Sequence, residues 1–460
     1  MRGLVVALAT AALIGCSDAA PRPSLLLLLT VDTLRADALG SYGSRAALTP
    51  HLDALAGESV VFDTAYAPAP FTLPSLAALQ TGRYPIELGL QSNLSLLPEG
   101  TPTLASALSE RGWRTAAVVS NVVLRDRTDL ARGFDAYDDT MSQHESTRLW
   151  PERIATDTTD AALREIESWQ ADPQASASPL FLWVHYQDPH GPYTPPPGWR
   201  ERFEAAAREP LGERVLPEDE TSFGEGGIPV YQVLGDRREA WFYLAGYQAE
   251  VAYMDDQLGR LLTALAQRGL YDDAFVVFAA DHGEAIGEHD YWFAHGHHLT
   301  DELVRVPLLI RRPGGAPGRR SDVASLVDLR PTLLAALVGE APAEDASGRD
   351  LLAPGAERRD SVPLLATLFA YRLQRQGIVS DGYKLILTHE DGIWSSALYR
   401  LGSEGVDLTA PAPQIAARLR EQLRERSEQL DRHLAERPRS LNERERRELE
   451  ALGYLHEDPQ

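Results

Sequence analysis

Asp32, Asp281 and His282 each follow closely on a short apolar run, and carboxylate and imidazole are the side chains that hold divalent cations. Asp32 ends the run LLLLLTV at 25–31, and the pair Asp281–His282 ends FVVFAA at 275–280. A third run, FLWV at 181–184, leads into His185, Asp188 and His190. A cation held by such groups polarises an ester oxygen and lowers the pKa of a nearby hydroxyl. Thr72 offers a hydroxyl. It stands two residues before Pro74, a residue suited to the first turn of a helix, where the backbone dipoles favour an alkoxide or a bound oxyanion. Threonine is a weak nucleophile until a metal or base activates it, and taken alone Thr72 also reads as an ordinary helix cap. Imidazoles that could move protons are concentrated in two stretches, which hold seven of the twelve histidines. His185 and His190 make the first; His282, His289, His295, His297 and His298 make the second.

The elements that must bring these residues together follow from the pattern around them. Short continuous apolar runs between helical stretches read as buried parallel strands, and in an open α/β sheet ligands bind in the crevice at the strands' carboxyl ends. Helical spacing recurs at 50–57, 74–79, 104–111, 157–169, 241–267 and 328–337, and 115–119 and 307–310 read as further strands. Residues 25–337 are therefore expected to form one α/β catalytic domain, a central mostly parallel sheet flanked by helices. The polar, Gly/Pro-punctuated stretch 200–236 reads as a surface excursion that helps to wall the site. Beyond it the composition shifts, and 338–412 reads as a small α+β subdomain with strands near 362–367, 376–380, 383–387 and 397–400. The Arg/Glu/Leu-rich segment 413–460 has the spacing of a packing helix with a solvated outer face.

A formal charge of −23 over 460 residues argues against nucleic acid as a partner but leaves room for a small anionic ester in a locally positive pocket. Lys384 is the only lysine, so arginine, histidine or a metal must meet any anion there. At the N-terminus Arg2 precedes an apolar stretch, 4–15, too short to span a bilayer and typical of a secretory signal. It ends in Leu13-Ile14-Gly15-Cys16, which resembles the bacterial lipoprotein signal, or lipobox. Residues 1–15 are thus expected to be removed, leaving Cys16 lipidated, with 16–24 as a tether. The protein would then be exported and held in the cell envelope, periplasm-facing or on the surface, by its lipid anchor. Cys16 is also the only cysteine, so no intramolecular disulfide forms.

VDTLRAD at 31–37, GSYG at 40–43, TPHLD at 49–53 and FTLPSLAALQTGRYP at 71–85 together resemble the N-terminal half of a sulfatase, a member of the alkaline phosphatase superfamily. The likeness continues through HYQDPHGPYTPP at 185–196, DHGEAIGEH at 281–289, DELVRVPLLI at 301–310, SLVDLRPTL at 325–333, GYKLI at 382–386 and ALGYL at 451–455. The resemblance implies an alkaline-phosphatase-like fold and one divalent ion (calcium, magnesium, manganese or zinc) on Asp32, Asp281 and His282. Thr33 stands where the family carries a second aspartate, and a histidine with fewer carboxylates moves the expectation toward zinc or manganese. Thr72 occupies the position that sulfatases fill with a Cys or Ser oxidised to formylglycine, and Leu76 replaces the arginine of that motif. With no cysteine to oxidise, the position is more similar to the unmodified Thr or Ser of the superfamily's phosphotransferases and phosphodiesterases.

By the same resemblance His185 or His190 contacts the ester's oxyanion, and His295 or His297 protonates the leaving group. The family's Lys-Trp-His segment is absent, and Ser120-Asn121 stands roughly in its place, which makes Asn121 a candidate anion contact. The order Asp188, His190, Asp281, His282, His295 is also similar to the two-zinc arrangement of alkaline phosphatase and the nucleotide pyrophosphatases. The expected function is a sulfatase-like, metal-dependent hydrolase that cleaves a sulfate or phosphate ester through Thr72. The alternatives are a phosphoryl-transferring phosphodiesterase or phosphotransferase, and a catalytically inactive lipoprotein that binds a sulfated or phosphorylated glycan. The substrate would be a small anionic ester or a sulfated or phosphorylated glycan or lipid.

Overall fold

Leucine and β-branched runs flanked by helices can be buried on both faces of a sheet, and the central strands of the computed structural model are built from such runs. The structure describes residues 23–46, 48–141, 152–220, 223–343, 346–355, 361–368, 373–390, 392–430, 440–443 and 446–447. Cys16, most of the tether and the segment ALGYL lie outside the described residues.

Among the described residues eight strands form the main sheet: β1 (Leu25–Val31), β2 (Val60–Phe62), β3 (Arg114–Val119), β4 (Ala136–Asp138), β5 (Leu180–Tyr186), β6 (Ala274–Ala280), β7 (Leu308–Arg311) and β8 (Gly318–Arg320). Their order is β8-β2-β7-β6-β1-β5-β3-β4. The five strands β6-β1-β5-β3-β4 are parallel, while β7 runs antiparallel to both its neighbours, β6 and β2. All seven residues of β1, of β5 and of β6 are buried, as continuous apolar runs require. The helices include α1 (Pro50–Gly57), α2 (Thr72–Thr81), α3 (Ala155–Ala171), α4 (Ala240–Gln267) and α5 (Leu329–Val338). α3 packs on β5, β3 and α4, and α4 packs on α1.

Three details differ from the sequence reading. β5 extends two residues past its apolar run, because β1 and β3 continue alongside and pair with Tyr186 and His185. His185 is therefore a strand residue, not a loop residue. The excursion at 200–236 is not featureless: it holds a helix, Glu204–Leu211, and bonds to the loop beyond β6 through Trp292 N to Gly224 O (2.8 Å) and Gly226 N to Asp290 O (2.7 Å). The helix expected over 413–460 is α6 (Pro413–Leu430), and residues 431–439 lie outside the described ones.

The C-terminal strands β9 (Val362–Leu368), β10 (Leu373–Ser380), β11 (Tyr383–Glu390) and β12 (Ile393–Arg400) form an antiparallel meander. Alternation gives the meander two apolar faces. Ile378, Leu385 and Leu398 pack on Ala416, Leu419 and Leu423 of α6. Val362, Leu364, Val379 and Ile386 pack on Tyr66, Leu299, Leu303 and Val304 of the larger unit. Lys384 shares this second face and is fully buried. Its Nζ donates to Leu299 O (3.0 Å) and Asp301 Oδ1 (2.5 Å) and pairs with Glu404 Oε1 (2.7 Å), 5.3 Å from the centre of the Tyr66 ring.

Candidate active site

Strand register brings the chemistry to one level. Val31 pairs with both Tyr186 and Ala280, so Asp32 and Asp281 begin their loops side by side. Asp32 N donates to Tyr186 O (3.0 Å) and Asp281 N to Val31 O (3.1 Å), which carries the ladder one residue past the strands. Val119 pairs with His185, so Asn121 leaves the sheet two residues later on the far side of β5.

Asp32, Asp281 and His282 are all fully buried, and one ligand atom from each lies within 4.8 Å of the others. His282 Nδ1 lies 3.0 Å from Gly283 O, a contact that only Nδ1–H can make favourably, so Nε2 keeps its lone pair. That nitrogen is 3.6 Å from Asp32 Oδ1 and 3.6 Å from Asp281 Oδ2, and both oxygens are buried without a hydrogen-bond partner among the described residues. Donors about 2.0–2.6 Å from a shared cation sit about 3–4 Å apart at ordinary coordination angles, so the three residues fit a divalent ion. The remaining lone pairs are spoken for. Asp281 Oδ1 accepts from His282 N (2.7 Å) and Thr33 N (3.3 Å), and Asp32 Oδ2 accepts from Asn121 Nδ2 (2.5 Å).

Electrostatics say the same. Burial pushes Asp281 well above the usual carboxylate range, and the Asp32 charge pushes further. Burial works on Asp32 in the same direction, but His190, His185 and His282 around it outweigh that and hold it low. One of two neighbouring carboxylates is thus forced toward its neutral form, the imbalance that a cation relieves. Thr33, at the position of the family's second aspartate, takes φ +52°, rare for a β-branched residue. It is held there by the bond to Asp281 and by its own carbonyl, which accepts from Tyr247 OH (3.0 Å), and its buried hydroxyl has no hydrogen-bond partner among the described residues.

Thr72 is the first residue of α2, with Phe71 as the N-cap, so its hydroxyl does not cap the helix. Its Oγ1 lies 3.4 Å from His282 Nε2 instead. The first turn is pinned by Ser75 Oγ, which donates to Asp281 O (2.6 Å), and by Asn93 Oδ1, which accepts from Leu73 N (2.9 Å). Pro74 needs no partner for its missing N–H. Leu76, where the family has arginine, is fully buried in the main apolar core and brings no charge to the site.

The histidines separate by position. His185 Nδ1 lies 2.9 Å from Thr30 Oγ1, which already accepts from Trp183 Nε1 (2.9 Å). On the other side of the ring, Nε2 faces Asp32 Oδ2 at 3.7 Å. His190 is buried with its ring 5.0 Å from that of His295, whose ring is 4.6 Å from that of His282. Burial pulls all three below the ordinary imidazole range, His282 to about 3 and His295 to about 4. His297 is elsewhere. Its ring packs 4.5 Å from Phe223 of the excursion and 6.0 Å from Tyr291, and its carbonyl accepts from Arg375 Nη1.

Three expectations change. Asn121 is a partner of Asp32, its amide oriented by Val123 N donating to Oδ1 (2.9 Å), and not simply an anion contact. Of His295 and His297, only His295 has its ring beside His282. A second metal group including Asp188 is not formed: among the described residues a single group has the geometry. Sequence reasoning gave no role to Glu284 or Tyr193, though both stand inside the quoted motifs. Glu284, buried and pushed up to about 7 by that burial, is 3.1 Å from His295 Nδ1 through Oε1.

The sulfatase family profile matches residues 24–339, well over half of the chain. The chain belongs to the sulfatase family. It is 25% identical over 370 residues to an uncharacterized sulfatase, YidJ, of Escherichia coli strain K12, covering 72% of this chain and 71% of YidJ. An arylsulfatase of Clostridium perfringens is 27% identical over 364 residues, 68% of this chain and 74% of its own. Iduronate 2-sulfatase of Homo sapiens is 28% identical over 386 residues, 67% and 68%. Among solved structures, one in complex with its substrate D-glucosamine-2-N,6-O-disulfate superposes with a TM-score of 0.71 at 22% identity, over 89% of this chain and 98% of that one. The phosphonate monoester hydrolase of Agrobacterium radiobacter gives 0.69 at 22%, over 91% and 100%. These structures establish the shared fold, and the family and its sequence relatives make the protein a sulfuric ester hydrolase by class.

Proposed function

We propose that this sulfatase is a metal-dependent hydrolase that cleaves a small anionic ester through a covalent ester of Thr72. The observation that carries the reading is the Thr72 hydroxyl, 3.4 Å from the Nε2 of a histidine that belongs to the buried Asp32–Asp281–His282 group. A divalent ion on those three residues would supply the charge that lowers the pKa of the hydroxyl and draws electron density from the ester's oxygens. Thr72 Oγ1, its proton passed to solvent water, attacks sulfur or phosphorus, the bond to the leaving oxygen breaks, and that oxygen takes a proton delivered through His295. Water then enters from the side the alcohol left and returns a proton to His295; its hydroxide bonds to sulfur or phosphorus as the bond to Thr72 Oγ1 breaks, which frees the oxyanion and leaves the Thr72 alkoxide for the next cycle. His185 and Asn121 keep Asp32 oriented throughout. The intact buried triad speaks against an inactive binding protein.

Sequence relatives named arylsulfatase, choline-sulfatase and N-acetylglucosamine-6-O-sulfatase favour a small sulfate ester, with a sulfated sugar first among them. A second reading rests on Thr72 itself. It lacks the second hydroxyl by which a hydrated formylglycine expels sulfate, so water must attack the ester, and phosphorus offers water the more accessible electrophile. We place the protein in the cell envelope by its lipid anchor at Cys16. A panel of aryl sulfate, phosphate and phosphodiester substrates, run on the purified soluble form, tests both readings. Thr72→Ala should abolish turnover at unchanged metal content, and full activity in that variant rejects the covalent route. Aryl sulfates turned over as fast as aryl phosphates reject the phosphoryl preference.

A further inference from the structure

The geometry points to Glu284, locked by Tyr193, as a positioning residue that decides which nitrogen of His295 meets the leaving group. The inference rests on the reading of His295 as the proton donor. A free imidazole can present either nitrogen, and only one orientation serves a leaving oxygen. Both carboxylate oxygens of Glu284 are engaged: Oε1 is 3.1 Å from His295 Nδ1, and Oε2 accepts from Tyr193 OH (3.1 Å). All three side chains are buried.

The backbone on either side is pinned. Gly283 N donates to Leu303 O (2.7 Å), and a Cβ at 283 would lie 2.0 Å from Glu302 O, so the turn between His282 and Glu284 has one available path. His295 O accepts from Tyr291 OH (2.7 Å). The Tyr193 ring is wedged edge-on between Tyr247 (5.7 Å) and Phe293 (6.1 Å). With Nδ1 turned to Glu284, Nε2 lies on the other side of the ring and is the nitrogen that meets the leaving group. Neither Glu284 nor Tyr193 touches the ester; both act through His295.

The test is leaving-group dependence in the full enzyme, measured on a series of aryl esters from nitrophenyl to phenyl. Proton donation contributes about 10²–10⁴-fold for a poor leaving group and little for one that departs unaided. Glu284→Gln should therefore lower kcat on the phenyl ester by about 10²-fold and on the nitrophenyl ester by less than about threefold, with KM and metal content unchanged. Tyr193→Phe, which keeps the ring, should shift the series in the same direction by a smaller factor, and it serves if Glu284→Gln does not fold. Equal losses across the series, or none, overturn the positioning role. His295→Ala separates the two ideas. A flat series in His295→Ala removes the donor reading and this inference with it, whereas a steep one beside a flat Glu284→Gln series sinks the positioning role alone.

Discussion

Asn121→Asp changes one amide to a carboxylate at the point where the structure brings Asn121 Nδ2 to 2.5 Å from Asp32 Oδ2. The bond from Val123 N to Oδ1 can survive, so the perturbation is almost purely one of charge. Two like charges at 4 Å repel by about 4 kcal/mol at an effective dielectric of about 20, and here they would be closer. The molecule can escape by protonating one carboxylate, and that sets a ceiling. For an unfolded-state pKa of about 3.9 the ceiling is about 5 kcal/mol at pH 7.5 and about 1.5 kcal/mol at pH 5, at about 1.4 kcal/mol per unit.

The sign follows. The new carboxyl has its folded pKa raised, so its stability is intact below about pH 4 and is lost as pH rises. With about 2.1 cal/mol/K of unfolding entropy per residue over a chain of this length, the drop in Tm is about 5 °C at pH 7.5 and about 2 °C at pH 5. Thermal melts of chelated protein at the two pH values measure this directly. Adding a divalent cation should then raise the Tm of Asn121→Asp more than that of wild type, because a third carboxylate faces the ion. A chelated variant that melts with wild type at pH 7.5, or that loses the same amount at both pH values, would refute an ionised Asp32 beside Asn121.

Elemental analysis should find about one ion per chain in wild type and in Asp188→Asn, and almost none in Asp281→Asn; loss of metal in Asp188→Asn would restore the two-metal arrangement. Lys384→Met strands two largely buried carboxylates, Asp301 and Glu404, without their cation and should cost about 3–5 kcal/mol in urea denaturation. Adding Glu404→Gln should recover part of that, and no recovery would show that Glu404 does not feel the lysine. Cys16→Ala should move the protein from the membrane fraction to a soluble or unprocessed form; wild type that carries no fatty acid and fractionates as soluble contradicts the anchor.

The sheet was legible because its central strands are apolar on both faces: LLLLLTV and FVVFAA leave no helical alternative of that length. Asp32, Asp281 and His282 were legible because they stand at the ends of those strands, where register alone makes neighbours of them. Elsewhere the information is not local. The end of β5 is set by pairing with β1 and β3, so the strand state of His185 is absent from its own neighbours in sequence. Asn121 finds Asp32 across 89 residues, and its amide is oriented by a backbone N–H two residues on. His295 and His297 stand two residues apart in an irregular loop with no periodicity to separate them; packing against Phe223, from an excursion of unreadable pattern, does so.

The burial of Lys384 turns a quirk of composition into a chemical probe. A reagent that acylates primary amines finds, apart from the α-amino group, a single target in the chain, and that target is sealed between the C-terminal meander and the larger unit. The folded protein should therefore be silent to such reagents on its side chains. Labelling at Lys384 can begin only when the meander lifts away, so the rate at which one peptide gains mass reads the opening of that seam directly, without a spectroscopic tag.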